Sequence, residues 1–182
     1  MERKRQSFHL LFGLFVLGLG LGLGRECAVL FVLMSFLTGL VILNRKLAGM
    51  KMPLADELLA IFNRPGEPPG YGAFWYVFGM LVALTFVKSP SGTLASVLML
   101  GISDAVSTLA GMRGKRKLPY NKSKTFEGTL AFALVSLASF VWIGWLAIPF
   151  ALLGAFVESL DIGLDDNLMI SLFCALFFFA LV

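Results

Sequence analysis

The chain reads as all-α: a polytopic membrane helix bundle of about seven transmembrane helices, with one more amphipathic helix lying at the interface. Three observations predict that class. Hydrophobic residues make up 58% of the 182 residues, well above the roughly 45–50% of soluble domains, and mean hydropathy is +0.87. Only 14% of residues are charged, and they cluster, leaving apolar runs long enough to cross a hydrocarbon core of about 30 Å. Lys and Arg then fall mostly on alternate connections between those runs, which is how a topology is set.

The elements come in order. Met1 to Arg5 is basic and leads into an apolar run, as in a signal peptide, but no small-x-small cleavage pattern is present after it, so an uncleaved first helix over Gln6 to Gly24 is expected. Its end, GLGLGLG, sets Gly18 and Gly22, and Gly20 and Gly24, four apart; that spacing suits close approach of a neighbouring helix, or else a loosely wound helix end. Cys27 to Leu43 forms the second helix. Asn44 to Gly70 is a polar connection carrying Arg45, Lys46, Lys51, Asp56, Glu57, Arg64 and Glu67. Within it, PLADELLAIFNR starts at Pro53 and puts Leu54, Leu58, Ile61 and Phe62 on one face, a short helix lying in the interface plane. RPGEPPG breaks it.

Tyr71 to Val87 is the third span, entered through Tyr71, Phe74, Trp75 and Tyr76 at headgroup depth. KSPSG turns the chain into the fourth, Gly92 to Met112. Phe126 to Trp145 is the fifth, and a short sixth helix covers Pro149 to Leu160. Gly128 to Val157 is one uncharged run of 30 residues. Trp142 and Trp145 sit in its middle, where a continuous helix would bury them in hydrocarbon; an interfacial hairpin explains them better than one long helix kinked at Pro149. Asn167 to Val182 completes the bundle.

With the N-terminus inside, thirteen of the fifteen Lys and Arg are cytoplasmic, leaving only Arg25 and Lys88 outside. The net charge of +4 therefore sits where it meets headgroups or phosphates, which argues against a nucleic-acid partner. Cys27 and Cys174 make neither a metal spacing nor a disulfide framework. The chain reads as a single integral protein of the cell membrane, or of an endoplasmic-reticulum-type membrane, with its active face in the cytoplasm.

The chemistry concentrates in GISDAVSTLAGMRGKRKLPYNKSKTFEGTLAF. Asp104 lies nine residues before Arg113, roughly 13 Å of helix, near headgroup depth inside an apolar run. Ser107 is adjacent, and Thr108 and Gly111 share its helix face. An intramembrane carboxylate is functional by default; the alternative is an acid paired with a loop lysine for packing. Arg113, Lys115, Arg116, Lys117, Lys122 and Lys124 come next within twelve residues, as a phosphate-binding loop or a plain topology signal. Lys122 and Lys124 precede a helix N-terminus, which favours an anion. Glu127 there either binds metal or complements the same dipole. Glu158, Asp161, Asp165 and Asp166 form an acidic group on the same face, and Asp166 and Asn167 are also placed to cap the last helix. His9, the only histidine, lies one turn after Arg5. Carboxylates for Mg²⁺ and cations for phosphate oxygens on one face are what a metal–nucleotide site needs.

These residues resemble a family. SDAVSTLAGMRGKRKLPYNKSKTFEGTLAF is similar to the central motif of the CTP-dependent lipid alcohol kinases, the group of dolichol kinase, phytol kinase and yeast-type diacylglycerol kinase. That motif is an Asp in a small-residue helix, a Gly-containing basic loop, then Lys-Ser-x-x-Glu-Gly-Ser. RQSFH resembles the family's Arg-Lys-x-x-His, and VESLDIGLDDNL its late Val-Glu and Asp-Asp-Asn-Leu. Ser103 stands where Gly is common, Thr129 where Ser is common, and Gln6 where Lys is common. The resemblance implies one kinase-like domain over residues 1–182 that moves the γ-phosphoryl group of CTP to the hydroxyl of a membrane lipid alcohol, a polyprenol such as dolichol first. It implies catalytic roles for Asp104, Glu127 and His9; nucleotide binding by Arg5, Lys115, Arg116, Lys117, Lys122, Ser123 and Lys124; and a divalent metal, Mg²⁺, on Asp104, Glu158, Asp165 and Asp166. A CTP-dependent cytidylyltransferase is the neighbouring alternative, though its late His-Gly-Gly and Asp-Arg pattern is absent. A small transporter using Asp104 as an ion site is the alternative of another class, and it lacks visible internal symmetry. The oligomeric state is open.

Overall fold

The computed structural model describes residues 2–62, 66, 68 and 70–181, and all regular structure there is helical. Ten α-helices come in order: α1 Glu2–Gly22, α2 Arg25–Leu47, α3 Pro53–Phe62, α4 Tyr71–Phe86, α5 Pro90–Leu98, α6 Asp104–Gly111, α7 Phe126–Ser136, α8 Phe140–Ile143, α9 Ala147–Ser159 and α10 Asp166–Phe179. A helix forms from Pro53 as expected, while the side chains of Leu54, Leu58, Ile61 and Phe62, and residues Arg64 and Glu67, lie outside the described residues.

Helices α5 and α6 are two parts of one span, Pro90–Gly111, joined through a π-helical turn at Met99–Ser103. It is the axis of the bundle. Ser89 caps its start, accepting from the Gly92 amide at 3.1 Å, and Pro90 comes next, where a missing N–H costs nothing. Around it, Tyr76, Met80, Met99, Leu100, Phe132, Phe150, Ile170 and Cys174 make a continuous core. The outer surface carries large exposed apolar side chains such as Phe15, Leu30, Leu134, Leu152 and Phe179, as lipid-facing helices must.

Lipid gives helices no hydrophobic reason to pair, so close packing of small residues decides the contacts. The tightest crossing is Gly13 of α1 on Gly101 of the π turn. A Cβ on Gly13 would lie 2.5 Å from the Gly101 Cα, so no other residue fits. The glycine run read from the sequence does not have this role: a Cβ on Gly18, Gly22 or Gly24 meets nothing within 4 Å, and one on Gly20 meets only the Leu94 side chain. Spacing four apart is present there, but only Gly20 faces a neighbouring helix, α5, and there it meets a side chain and not backbone.

Phe126–Ser159 is apolar over 34 residues but folds back on itself. A 3-10 turn at Leu137–Ser139 and a reversal at Gly144, φ 56°, turn the chain. Helices α7 and α9 then pack side by side. Trp145 stands 77% exposed at the reversal, edge-on to Phe140, and Pro149 falls in the first turn of α9, where it is tolerated. The expected hairpin is the one that forms. Pro90–Gly111, Glu2–Gly22 and Arg25–Leu47 are the other segments long and apolar enough to cross; Tyr71–Phe86 and Asp166–Phe179 are shorter apolar helices. At the end of α4 away from the site, Arg25 donates to the carbonyls of Leu84 (3.0 Å) and Thr85 (3.1 Å), satisfying carbonyls the helix leaves open.

Candidate active site

At one end of the bundle, four separate pieces of chain turn polar side chains inward. On α1, Arg5, His9, Gly13 and Val16 recur at helical spacing and form its buried stripe, with Gln6 beside them. The stripe is apolar at depth and polar at the end. Arg5 Nη2 pairs with Glu2 Oε1 at 2.6 Å, and Gln6 Nε2 donates to the same oxygen at 3.0 Å. The His9 ring stacks on Tyr76, centroids 4.0 Å apart, and the Tyr76 hydroxyl donates to the His9 carbonyl at 2.7 Å. No sequence pattern signals that Tyr76 partnership, which comes from a helix 67 residues away.

The axial helix brings the second piece. Its π turn ends at Asp104, which is only 5% exposed. π turns insert an extra residue and so re-aim the side chains beyond them; here the widened turn also brings the Gly101 backbone against Gly13. Asp104 and Thr108 face the same cavity as Arg5, Gln6 and His9. The cavity is about 230 Å³ and is closed by Tyr71 and by Gly163 to Asn167.

The basic loop, residues 112–125, is the third piece, and it is well ordered by hydrogen bonds. Lys117 and Thr125 form an isolated antiparallel bridge, with Phe126 N donating to Arg116 O at 2.8 Å. Asn121 Nδ2 donates to Ser159 O at 3.0 Å, the Tyr120 hydroxyl bonds the Ser159 hydroxyl at 2.8 Å, and Ser123 N and Oγ donate to Asn121 Oδ1 at 3.0 and 2.5 Å. Thr125 caps α7 through the Gly128 amide at 3.2 Å. The loop is thereby bound to the end of α9. Asn121, buried at the centre of this set, has no distinguishing feature in the sequence beyond its place in a polar loop.

Of the loop cations, Lys124 is the one turned inward. Its Nζ lies 2.5 Å from Glu158 Oε1 and 2.7 Å from Asp166 Oδ2. Burial works to push the Lys124 ammonium down, but Glu158, Asp166 and Asp104 outweigh it and hold the group well above the ordinary lysine range. Glu158 is 1% exposed and also accepts from Ser107 Oγ at 3.2 Å. Arg113, Lys115, Arg116, Lys117, Lys122 and Ser123 are exposed outside the cavity. Glu127 does not line it either. Its carboxylate accepts from the amides of Lys115 (3.0 Å) and Arg116 (3.3 Å), bracing the loop from the first turn of α7.

The fourth piece is the turn into α10. Asp165 is its N-cap, accepting from Asn167 N and Nδ2 at 2.9 Å each, so the cap is Asp165 and not Asp166 or Asn167. Asp166 is freed to meet Lys124. Asp161 is exposed and away from the cavity.

Asp104, Asp165 and Asp166 thus share one cavity, and Glu158 sits beside it beneath Lys124. Among the described residues no three His, Cys, Asp or Glu are gathered as a ready-made metal cage. Mg²⁺, however, ordinarily takes one or two carboxylates and completes its shell with water and phosphate. The donor set fits that pattern. Arg5 Nε, Gln6 Oε1 and Asn167 Oδ1 are buried and make no hydrogen bond among the described residues, so the cavity wall still has polar valence to offer. Tyr71, Gln6, Thr108 and Asn167 complete that wall. Arg5, His9, Asp104, Asp165 and Asp166 are the sequence-derived candidates that line it, and Lys124 joins them through Asp166.

The chain is 31% identical over 170 residues to an uncharacterised protein of Methanocaldococcus jannaschii, an alignment that takes in 92% of this chain and 87% of that one. It is 31% identical over 164 residues to the chloroplastic farnesol kinase of Arabidopsis thaliana (78% of this chain, 53% of that one). It is 32% identical over 111 residues to a protein of Glycine max named probable phytol kinase 3 (50% and 35%). Against the named kinases, this chain spans about half their length or less. No family model and no solved structure matches. The chain belongs to one family with the Methanocaldococcus jannaschii protein, and its other relatives carry the names farnesol kinase and probable phytol kinase.

Proposed function

We propose that this family member is itself a lipid alcohol kinase, moving the γ-phosphoryl group of a nucleoside triphosphate, CTP by resemblance, to the hydroxyl of an isoprenoid alcohol. The observation that carries the reading is the convergence of Asp104, Arg5 and Asp166 on one polar cavity at the end of an otherwise apolar bundle, with Lys124 paired to Asp166 at its edge. Phosphoryl transfer asks little covalent chemistry of a protein; it asks for positioning and charge neutralisation. Farnesol and phytol, the substrates in the relatives' names, share with dolichol an isoprenoid chain ending in a hydroxyl.

In this reading the lipid hydroxyl sits against Asp104, whose carboxylate accepts the proton as the hydroxyl oxygen bonds to the γ phosphorus. The bond from that phosphorus to the β–γ bridging oxygen breaks, and the nucleoside diphosphate leaves. Lys124 and Arg5 face the phosphates and offset the charge gathering on their oxygens. Asp165 and Asp166 would hold Mg²⁺, which when bound would supply positive charge to neutralise the phosphate oxygens. His9, fixed by its Tyr76 stack, closes the site from α1. The exposed cations of the loop draw the triphosphate to the cavity mouth.

The test is an assay in detergent with Mg²⁺, CTP labelled at the γ or the α position, and farnesol, phytol, a dolichol and a diacylglycerol as acceptors, with ATP and GTP as alternative donors. Label from the γ position in an isoprenoid phosphate is the expected result. Label from the α position alone would identify a cytidylyltransferase, and no transfer from any donor would overturn the kinase reading.

A further inference from the structure

A second cavity lies next to the polar one, and phosphoryl transfer itself makes no use of it. It is an apolar groove of about 480 Å³ between α1, α2 and α4, roofed by α3. Phe12, Phe31, Phe36, Gly39 and Phe74 line it, with Leu59 in the roof. Ser35 faces it too, but its hydroxyl already donates to the Phe31 carbonyl at 2.9 Å. Thr38 is the other hydroxyl on a lining that is otherwise apolar, so the groove has little to offer a polar ligand.

The two cavities share their walls. On α1, Arg5, Gln6 and His9 line the polar one while Phe8 and Phe12 line the groove; on α4, Tyr71 belongs to the first and Gly70 and Phe74 to the second. Between them stands the His9–Tyr76–Phe12 set, His9 stacked on Tyr76 and Phe12 edge-on to Tyr76 with centroids 5.7 Å apart. The roof is tied down where α3 begins: Asp56 forms an ion pair with Lys46 at the end of α2 and accepts from the Met52 amide. An amphiphile with one polar end and one apolar chain matches that pair of sites.

We infer that the groove holds the isoprenoid chain of the alcohol whose hydroxyl is phosphorylated in the neighbouring cavity, and that Gly39 limits how long a chain is accepted. The inference rests on the kinase reading for the identity of the head group, but the groove can be tested without turnover. Its size is that of a small-molecule site, in the range of about 300–1,000 Å³. One short, methyl-branched chain fits such a space between aromatic rings; the two long chains of a diacylglycerol do not, and a dolichol would have to pass out into the bilayer. Gly39 is placed to set the limit because a Cβ there meets nothing within 4 Å. A Cβ at that position displaces no protein atom, and a larger side chain there would extend from the groove lining.

The experiment labels the full chain in detergent–lipid micelles with a farnesol analogue carrying a photoreactive diazirine at the tail, and maps the adducts by mass spectrometry. Adducts on α2 and α4, competed by farnesol and lost in Gly39→Phe but kept in Gly39→Ala, are expected. Equal competition by a diacyl phospholipid, or unchanged labelling in Gly39→Phe, would overturn the inference and leave the groove to bilayer lipid. The same variants are then assayed for phosphorylation of geraniol, farnesol and phytol. Gly39→Phe should lower kcat/KM for phytol by about tenfold or more relative to geraniol, the scale at which hydrophobic pockets discriminate; an unchanged ratio in an active enzyme would also overturn it. If no alcohol is phosphorylated although the labelling pattern holds, the kinase reading fails and the chain-binding groove stands.

Discussion

Lys124 Nζ lies 2.5 Å from Glu158 Oε1 and so connects the start of α7 to the end of α9, the two arms of the hairpin. Glu158 is 1% exposed, and a buried carboxylate without a cation is costly. The pair therefore has a structural role as well as a place beside the phosphates. Lys124→Ala should cost about 3–5 kcal/mol, the usual result of removing one partner of a buried pair. Pairing it with Glu158→Gln should restore much of the loss. Thermal unfolding in detergent measures both, and a single variant as stable as the parent would show that the pair is not needed.

The same pair sets a pH dependence. Lys124 is held above the ordinary lysine value, which is about 10.4 unfolded. A raised folded-state value means its contribution is complete below that unfolded value and is lost as pH rises through the folded one. Stability attributable to Lys124 should therefore be flat from neutrality to about pH 10 and fall only above it. Comparing melting curves of the parent and Lys124→Met across that range isolates the contribution.

Asp104→Asn keeps the shape of the side chain and removes the proton acceptor. Phosphoryl transfer should fall by about 10²–10⁴-fold, the range for a lost general base, with an unaltered melting temperature. Full activity would remove Asp104 from the mechanism.

Glu127 has different roles by sequence and by structure. As a brace on the Lys115 and Arg116 amides, it acts through the loop. Glu127→Gln should raise KM for the nucleotide several-fold and leave kcat nearly unchanged. A lost kcat at unchanged KM would instead place Glu127 at the reacting atoms.

Gly13→Ala should be among the most damaging small changes in the protein. Its methyl would be driven to 2.5 Å from the Gly101 Cα, and backbone on both sides has nowhere to go. We expect about 1–3 kcal/mol of overpacking strain and loss of activity, as α1 withdraws Arg5 and His9 from Asp104. Gly18→Ala and Gly22→Ala, which meet open space, should be neutral in the same assays.

Activity should disappear on chelation of divalent cations and return with Mg²⁺. Asp165→Asn or Asp166→Asn should raise the Mg²⁺ concentration needed for half-maximal activity. Asp166→Asn also weakens the hold on Lys124, so its melting curve is needed beside its metal titration.

By itself the sequence determined everything that depends on composition along the chain. Apolar runs of bilayer length, cations concentrated on alternate connections, and tryptophans in mid-run specify the helical membrane class, the helix from Pro53 and the hairpin near Gly144. Asp104 also stands out as a candidate site residue, because a charge inside an apolar run has few other uses. Tertiary structure decided whatever depends on what stands opposite. Helical spacing among Gly18, Gly20, Gly22 and Gly24 is the same whether or not a neighbour is there, and only packing shows that Gly13 and Gly101 make the close crossing. One-dimensional clustering does not separate the lysine turned inward, Lys124, from the exposed Lys115, Lys117 and Lys122, nor tell that Glu127 serves the loop and Asp165 the α10 cap. Charge type is local to a residue, but the direction in which a side chain points is fixed by partners distant in the chain.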